Sequence, residues 1–283
     1  MLLQAWRQRI ESAFLKAGFD NARQEAKWLM AAALQRESAF VTLNPTYDTS
    51  PAEDAILQDW LARRLAREPL SRIKGEREFW SLPFWLNAHT LDPRPETEML
   101  VEGVLRWVGL CKDNPWHILD LGTGSGCLLI ALLHELQGAT GVGVDISEDA
   151  LQMARANAVR NNVETRAIFQ QSNWGENVQG QFGIIVSNPP YIPLKERDTL
   201  AVEVVGFDPP QALFGGEDGL DCYRHLVREI RSHLAPQGLA VLEFGAGQRR
   251  DVEKLFQEAG FQVLFVLEDL AARERGIGVT LGS

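Results

Sequence analysis

The spacing of apolar residues along this chain changes near residue 73. Before it, apolar residues recur at helical intervals, as over residues 22–33. A second helix is predicted to begin at Ser50, because Ser50 can cap it, Pro51 suits its first position and Glu53 completes a capping box. Residues 1–72 are therefore predicted to form a small all-helical N-terminal domain.

After residue 73 the pattern predicts a hairpin and then an α/β fold. Two aromatic pairs flank Ser81 to Pro83, which predicts a β-hairpin linker over residues 73–90. Strands and helices then alternate through residues 91–283, as in a doubly wound, mostly parallel sheet. The predicted strands are 118–121, 142–144, 167–169, 184–186, 239–244, 261–267 and 277–281, and the main helices are 128–136, 220–234 and 248–259, with a turn at 236–238.

Composition narrows the class of protein. The chain has 283 residues, of which 45% are hydrophobic, which suits two globular domains of unequal size. Its formal charge of −10 argues against a protein that holds nucleic acid mainly through phosphate contacts, although it does not exclude a local basic patch. Three widely separated cysteines exclude a zinc knuckle and argue against a disulfide framework, which favours a reducing cytoplasm.

Nothing in the sequence predicts a membrane segment. Arg7, Arg9 and Glu11 stand where a signal peptide or anchor would be apolar, and no apolar run approaches the roughly 18–20 residues of a spanning helix. A cytoplasmic location is the expectation.

A glycine-rich loop follows the first strand of the predicted sheet. Gly122, Gly124 and Gly126 allow a tight turn that brings backbone N–H groups close to a ligand. Asp145 stands 19 residues after Gly126, at the tip of the next strand, where a carboxylate can accept hydrogen bonds from both ribose hydroxyls of an adenosine. The Gly-x-Gly-x-Gly spacing, with Asp120 before it to face a cation such as an α-ammonium, favours S-adenosylmethionine over NAD.

A second loop is predicted at the same edge of the sheet. The apolar run 184–186 leads into Asn188-Pro189-Pro190-Tyr191, and the prolines make this backbone stiff. Asn188 would then hold its carboxamide in a fixed direction over the crevice where such folds bind ligands. The alternative is a strand that simply ends at a Pro-Pro turn.

One further segment precedes a predicted helix. Pro93 and Pro95 frame Arg94, which could be either a surface charge or a ligand clamp, and spacing does not decide between them.

Taken together, the motifs resemble the release-factor glutamine methyltransferases of the PrmC or HemK type. The resemblance covers almost the whole chain and rests on Asp120–Gly126, Asp145, Asn188–Tyr191, Arg94–Glu98, Phe207–Gly216, Leu242–Gly245 and Asp269–Arg275.

The resemblance implies a class I methyltransferase sheet of seven strands, the last antiparallel, behind a helical domain that helps to hold the substrate. The positions that match the family's cofactor contacts are Gly122, Thr123, Gly124, Ser125, Gly126, Asp145, Trp174 and Asn188. Those that match its catalytic clamp for the substrate amide are Asn188, Pro189, Pro190 and Tyr191, to which we add Arg94 as a substrate-binding residue. Two departures stand out: Asn173 replaces a common acid before Trp174, and Asp92 occupies a usually apolar position.

The implied reaction is methyl transfer from S-adenosylmethionine to the N5 atom of the glutamine in the Gly-Gly-Gln motif of peptide chain release factors 1 and 2. The product would be S-adenosylhomocysteine, and we expect no metal, no direct nucleic-acid or membrane partner, and a monomer. Asn188 Oδ1 and the Pro189 carbonyl would each accept one amide N–H. Tyr191 is expected to wall the amide pocket, with its hydroxyl free for a polar contact.

Several alternatives stay open at this stage. The nearest is an N5-glutamine methyltransferase acting on a ribosomal protein, and a DNA adenine N6-methyltransferase shares the Asn-Pro-Pro-Tyr motif. A nucleotide-dependent oxidoreductase would need room for a second nucleotide. A non-catalytic binding module is disfavoured because the cofactor and amide elements are both intact.

Overall fold

The computed structural model describes residues 1–282, and their contacts divide them into two units. The helical unit comprises Met1–Gly75 together with the separate segment Val202–Phe207. The sheet unit comprises Glu76–Ala201 and the rest of the described chain from Asp208. No helix within residues 1–282 combines the length and the apolar character needed to cross a bilayer.

The helical unit is built on a core of large apolar side chains. Trp6, Ile10, Phe14 and Leu57 are each at most 2% exposed. Its continuous helices are α1 (Leu3–Lys16), α2 (Ala22–Ala33), α3 (Ser38–Leu43), α4 (Pro51–Leu65) and α5 (Leu70–Lys74).

The predicted capping box is present at the start of α4. The Glu53 N–H donates to Ser50 Oγ at 3.3 Å, and the Ser50 N–H donates to Glu53 Oε2 at 2.8 Å. Two backbone donors that the helix cannot satisfy are thus satisfied by side chains.

A buried arginine explains why Val202–Phe207 belongs to the helical unit. Arg64 is 8% exposed, so its charge needs partners inside the protein. It pairs with Glu25 at 3.2 Å and with Glu203 at 3.5 Å, and Arg67 also lies 3.5 Å from Glu203. Both guanidinium groups stack over the Phe19 ring.

The sheet unit begins with the predicted hairpin and continues as the predicted doubly wound fold. Its strands are β1 (Glu76–Phe79), β2 (Leu82–Trp85), β3 (His117–Leu121), β4 (Thr140–Asp145), β5 (Ala167–Gln171), β6 (Phe182–Ser187), β7 (Leu234–Glu243), β8 (Phe261–Glu268) and β9 (Glu274–Leu281). Its α-helices are α6 (Glu98–Val108), α7 (Cys127–Glu135), α8 (Glu148–Arg160), α10 (Asp221–His233) and α11 (Arg249–Glu258). The label α9 belongs to Val202–Phe207, the helix of the helical unit that comes between α8 and α10 in the chain. Short 3₁₀ helices span Pro95–Thr97, Gly109–Cys111, Leu194–Thr199 and Pro210–Ala212.

Seven of these strands form one sheet in the order β5-β4-β3-β6-β7-β9-β8. β9 is antiparallel to both of its neighbours, while the first five strands of that order are parallel. The order reverses between β3 and β6, so the loops that follow these two strands meet at the switch point where such folds bind ligands. This confirms the predicted fold class.

Residues on the central strands alternate between two cores, one on each face of the sheet. Ile118 and Ile184 pack with α6, α7 and α8. Leu119 and Ile185 pack with α10 and α11. Because both faces are covered, these strands read as continuous apolar runs rather than alternating ones.

The predicted turn at 236–238 lies inside a strand. β7 pairs with β6 both before this segment, where Leu234 faces Phe182, and after it, where Leu239 faces Ile184. The residues between bulge out, and Gln237 has a φ of +61°. The segment does turn, but the strand resumes its pairing with β6 beyond it.

Candidate active site

A cavity of about 280 Å³ opens at the carboxyl edge of β3, β4 and β6. Most of the residues predicted from sequence line it, namely Arg94, Gly122, Thr123, Gly124, Ser125, Asp145, Trp174, Asn188 and Pro190. Gly126, Pro189 and Tyr191 belong to the same loops but are not among the described residues that line the cavity. The two predicted loops are therefore brought together at one site.

The glycine loop is bonded to the end of β4. Gly122 and Gly124 have φ angles of +77° and +54°, which other residues rarely adopt. The N–H groups of Gly122 and Thr123 donate to the Val144 carbonyl at 2.9 and 2.8 Å, and that of Gly124 donates to Asp145 at 2.9 Å. These three N–H groups therefore hold the loop in place, whereas the sequence analysis expected the N–H groups of this turn to lie close to a ligand.

Asp145 is held by two backbone donors. Gly124 N–H donates to its Oδ2 and Ser147 N–H to its Oδ1, each at 2.9 Å. Burial raises the pKa of this carboxyl, while the two bonds favour its charged form. A carboxylate has about four acceptor positions, so each oxygen keeps one for a ligand hydroxyl. This arrangement fits a ribose diol.

Asp120 lies beneath the glycine loop. It is 1% exposed, and its Oδ2 accepts a 2.6 Å bond from Thr123 Oγ1. Burial raises the pKa of Asp120 to about 7. Asp120 is not among the described residues that line the cavity, so its carboxylate braces the loop through Thr123.

Asn173 and Trp174 close another side of the cavity. Asn173 Nδ2 donates to Glu176 Oε1 at 2.7 Å, which leaves Oδ1 as the acceptor atom of this amide. An amide oxygen so oriented can accept from an adenine amino group. The replacement of the usual acid by Asn173 is thus compatible with adenosine binding.

Asn188 is oriented by a chain of hydrogen bonds. Its Nδ2 donates to Thr97 Oγ1 at 2.9 Å, and that hydroxyl donates to Glu243 Oε2 at 2.6 Å. One N–H of the amide is used in this way, which orients the carboxamide with its nitrogen towards Thr97; Oδ1, which can only accept, is the acceptor that Asn188 keeps for a ligand.

Tyr191 also contacts Glu243. Its hydroxyl donates to Glu243 Oε1 at 3.1 Å, so this hydroxyl is not free, in contrast to the expectation from sequence. Burial raises the pKa of Tyr191, and the Arg275 guanidinium lies 5.6 Å from its ring centroid. The ring is thereby fixed beside the Asn-Pro-Pro segment.

Arg94 and Asp92 hold one wall of the cavity. Arg94 pairs with the buried carboxylate of Asp208 at 2.5 Å, and Asp208 also accepts the Asp92 N–H at 3.2 Å. The Asp92 side chain is 5% exposed and lies 3.7 Å from Arg77 of the hairpin strand β1. The unusual acid at position 92 therefore pairs with a cation of the hairpin, and Arg94 shapes the wall through Asp208.

Sequence reasoning assigned no role to Thr97 or Glu243. Both stand within segments that carry the family resemblance, and Glu243 is the only charged residue of the strand β7. A carboxylate at the end of an otherwise apolar strand is the signal that could have drawn attention to it, because burying such a group requires partners.

Comparison with known structures and domain families defines the class of protein. The catalytic domain of hMettl16, solved with the MAT2A 3'UTR hairpin 6, superposes with a TM-score of 0.61 at 13% identity, over 90% of this chain and 93% of that one. Residues 105–216 match the "Methyltransferase small domain" family. The fold and the site thus define a class I methyltransferase dependent on S-adenosylmethionine.

Closer relatives give the family. Residues 5–75 match the "PrmC N-terminal domain". A protein of Rhodospirillum rubrum named release factor glutamine methyltransferase is 44% identical over 96% of this chain and 81% of its own length. One of the same name from Bradyrhizobium diazoefficiens is 40% identical over 92% and 88%. The chain belongs to the release factor glutamine methyltransferase family, which confirms the resemblance seen in the sequence.

Proposed function

We propose that this enzyme methylates the N5 atom of the glutamine in the Gly-Gly-Gln motif of peptide chain release factors 1 and 2. The observation that carries the proposal is the orientation of Asn188, whose amide nitrogen is engaged by Thr97. An acceptor atom at this position selects a ligand that presents an NH₂ group. Adenine and glutamine both do so, and the names of the relatives favour glutamine.

The residues present fit S-adenosylmethionine. Asp145 keeps acceptor positions for a ribose diol, Asn173 Oδ1 can accept from an adenine amino group, and Trp174 offers an aromatic wall. When bound, the cofactor supplies a methyl group made electrophilic by its sulfonium sulfur. The proposal needs no metal ion.

The role of the protein in the reaction is to position and polarise the amide. An amide nitrogen is a weak nucleophile because it shares its lone pair with the carbonyl. Asn188 Oδ1 and the Pro189 carbonyl would each accept one N–H, which aims the nitrogen at the methyl group and favours the positive charge that develops on it. One of these two amide protons would leave to water after the transfer, which gives the neutral N-methyl amide. Positioning and electrostatics of this kind can contribute several kcal/mol in the transition state.

The domain roles follow the division expected from sequence. Residues 1–72 would contribute to holding the release factor, residues 73–90 form the hairpin linker, and residues 91–283 carry the chemistry. Arg94 would support substrate binding by keeping the wall at Asp208 in place. The enzyme would act as a cytoplasmic monomer, without nucleic acid.

Mass spectrometry after incubation with labelled S-adenosylmethionine tests the proposal. Full-length release factors 1 and 2 should each gain one methyl group on the motif glutamine. A short loop peptide should react far less well, because one side chain supplies too little contact. A release factor in which alanine replaces that glutamine is the matched control. Label in the control, in a ribosomal protein alone or in DNA would overturn the assignment.

A further inference from the structure

Glu243 is a fully buried carboxylate beside the catalytic loop. It is 0% exposed, and both of its oxygens accept hydrogen bonds, Oε2 from Thr97 at 2.6 Å and Oε1 from Tyr191 at 3.1 Å. A buried carboxylate is costly even when bonded, so a hydrophobic strand end would be more stable without it. Among the charged groups that act on its pKa, Arg275 favours ionisation and Glu96 opposes it.

The chemistry of these groups fixes the direction of the whole hydrogen-bond chain. An ionised carboxylate can only accept, so Thr97 must donate its single hydroxyl proton to Glu243. Thr97 Oγ1 can then only accept from Asn188, which must turn its NH₂ towards Thr97. The oxygen of Asn188 is consequently left for the substrate.

We propose that Glu243 is a positioning residue that, through Thr97, sets the amide orientation of Asn188 and so selects an NH₂-bearing acceptor over a carboxylate. For the identity of that acceptor this proposal rests on the proposed glutamine substrate. The selectivity of the site is thus determined by a residue that lies two hydrogen bonds away from Asn188.

Replacing Glu243 by glutamine keeps the shape but removes the requirement that Thr97 donate, because one of the two acceptor oxygens becomes an NH₂ group. A glutamine can donate its NH₂ to Thr97, which can then donate to Asn188 Oδ1. Asn188 would then turn its NH₂ towards the substrate. The NH₂ group of Asn188 would then face the NH₂ group of the substrate glutamine, and neither could accept a hydrogen bond. A substrate carboxylate would instead become a suitable partner.

The test compares Glu243→Gln with the unaltered enzyme at a pH of about 8.5, above the pKa of Glu243, which burial raises to about 7. We expect kcat on the release factor to fall at least about 100-fold, as on loss of one oriented polar contact in an active site. The affinity for S-adenosylmethionine should stay within about threefold, which also shows that the variant is folded. Glu135→Gln is the matched control, because Glu135 accepts a bond from Trp80 and does not line the cavity.

A binding measurement reports directly whether the oxygen or the NH₂ group of Asn188 faces the substrate. The unaltered enzyme should bind the natural release factor more tightly than it binds a release factor in which glutamate replaces the motif glutamine. Glu243→Gln should abolish or invert that preference. Thr97→Val should also lose kcat, whereas Thr97→Ser, which keeps the hydroxyl, should restore most of it.

The outcomes separate this inference from the proposed function. If the unaltered enzyme fails to methylate the release factor, the proposed function is wrong. If it methylates the release factor and Glu243→Gln keeps both its rate and its preference for glutamine over glutamate, only the role of Glu243 is wrong. Loss of rate with an unchanged preference would also reject the polarity argument.

Discussion

Replacing Asp145 by asparagine should weaken cofactor binding in a way that the geometry makes specific. Each oxygen of Asp145 accepts one backbone N–H, from Gly124 or from Ser147, at 2.9 Å. In asparagine one oxygen becomes NH₂, which must face one of these two donors and can no longer accept from a ribose hydroxyl. A charge-assisted hydrogen bond contributes about 1.5–3 kcal/mol, which corresponds to a roughly 10- to 150-fold weaker affinity.

Calorimetry with two ligands checks the cause of that loss. S-adenosylmethionine and S-adenosylhomocysteine share the ribose, so both should lose affinity by the same factor. The control is Glu148→Gln, a surface change at the start of α8 whose carboxylate pairs with Arg155. An unchanged affinity would remove Asp145 from the site. A loss confined to S-adenosylmethionine would mean that Asp145 acts on the sulfonium charge and not on the ribose.

Three further predictions concern turnover, pH and local stability. Asn188→Ala should lower kcat at least about 100-fold and leave the affinity for S-adenosylmethionine within about threefold, because the contact of Asn188 with the substrate matters in the transition state. An equal fall in kcat and in that affinity would make Asn188 a cofactor-binding residue only. Burial raises the pKa of Glu243 from 4.5 to about 7, so the folded protein binds this proton more tightly, and the contribution of Glu243 to the free energy of unfolding should fall by about 3 kcal/mol as pH rises across that interval. Urea unfolding at pH values of about 5 and 8 should show a smaller fall in Glu243→Gln, and equal falls would contradict the assignment. Ser50→Ala should cost the helical unit about 1 kcal/mol through loss of the capping box, which thermal unfolding beside the surface change Ser12→Ala can measure; identical melting would show that the cap contributes nothing.

The parts of the site that were predictable from sequence are those encoded locally. The glycine loop and Asp145 could be placed together because consecutive parallel strands bring their carboxyl ends to one edge. Asn188 could be placed opposite them by the same rule, since the proline pair marks where β6 ends. The seven strands of the sheet and the helices α7, α10 and α11 followed from the alternation of apolar runs, whereas the strand order did not.

The contacts that orient these residues were not predictable, because they join distant parts of the chain. Thr97 and Glu243 are 146 positions apart, and Arg94 and Asp208 are 114 apart. No periodicity in the sequence links such pairs. The sequence therefore assigned no role to Glu243 and did not predict that the Tyr191 hydroxyl donates to it. The sequence predicted a strand over 239–244, which is shorter than β7. The first pairing of β7, between Leu234 and Phe182, depends on a residue of another strand, so the turn residues of β7 do not reveal it.

The discontinuous helical unit has a consequence for how the chain is made. Residues 1–75 leave the ribosome before Glu203, a partner of the buried Arg64, which follows only after the 126 residues of 76–201. At roughly 5–20 residues per second this delay is on the order of 6–25 s. During that interval Arg64 has Glu25 beside it but lacks Glu203. The helical unit is therefore completed only after residues 76–201 have been synthesised.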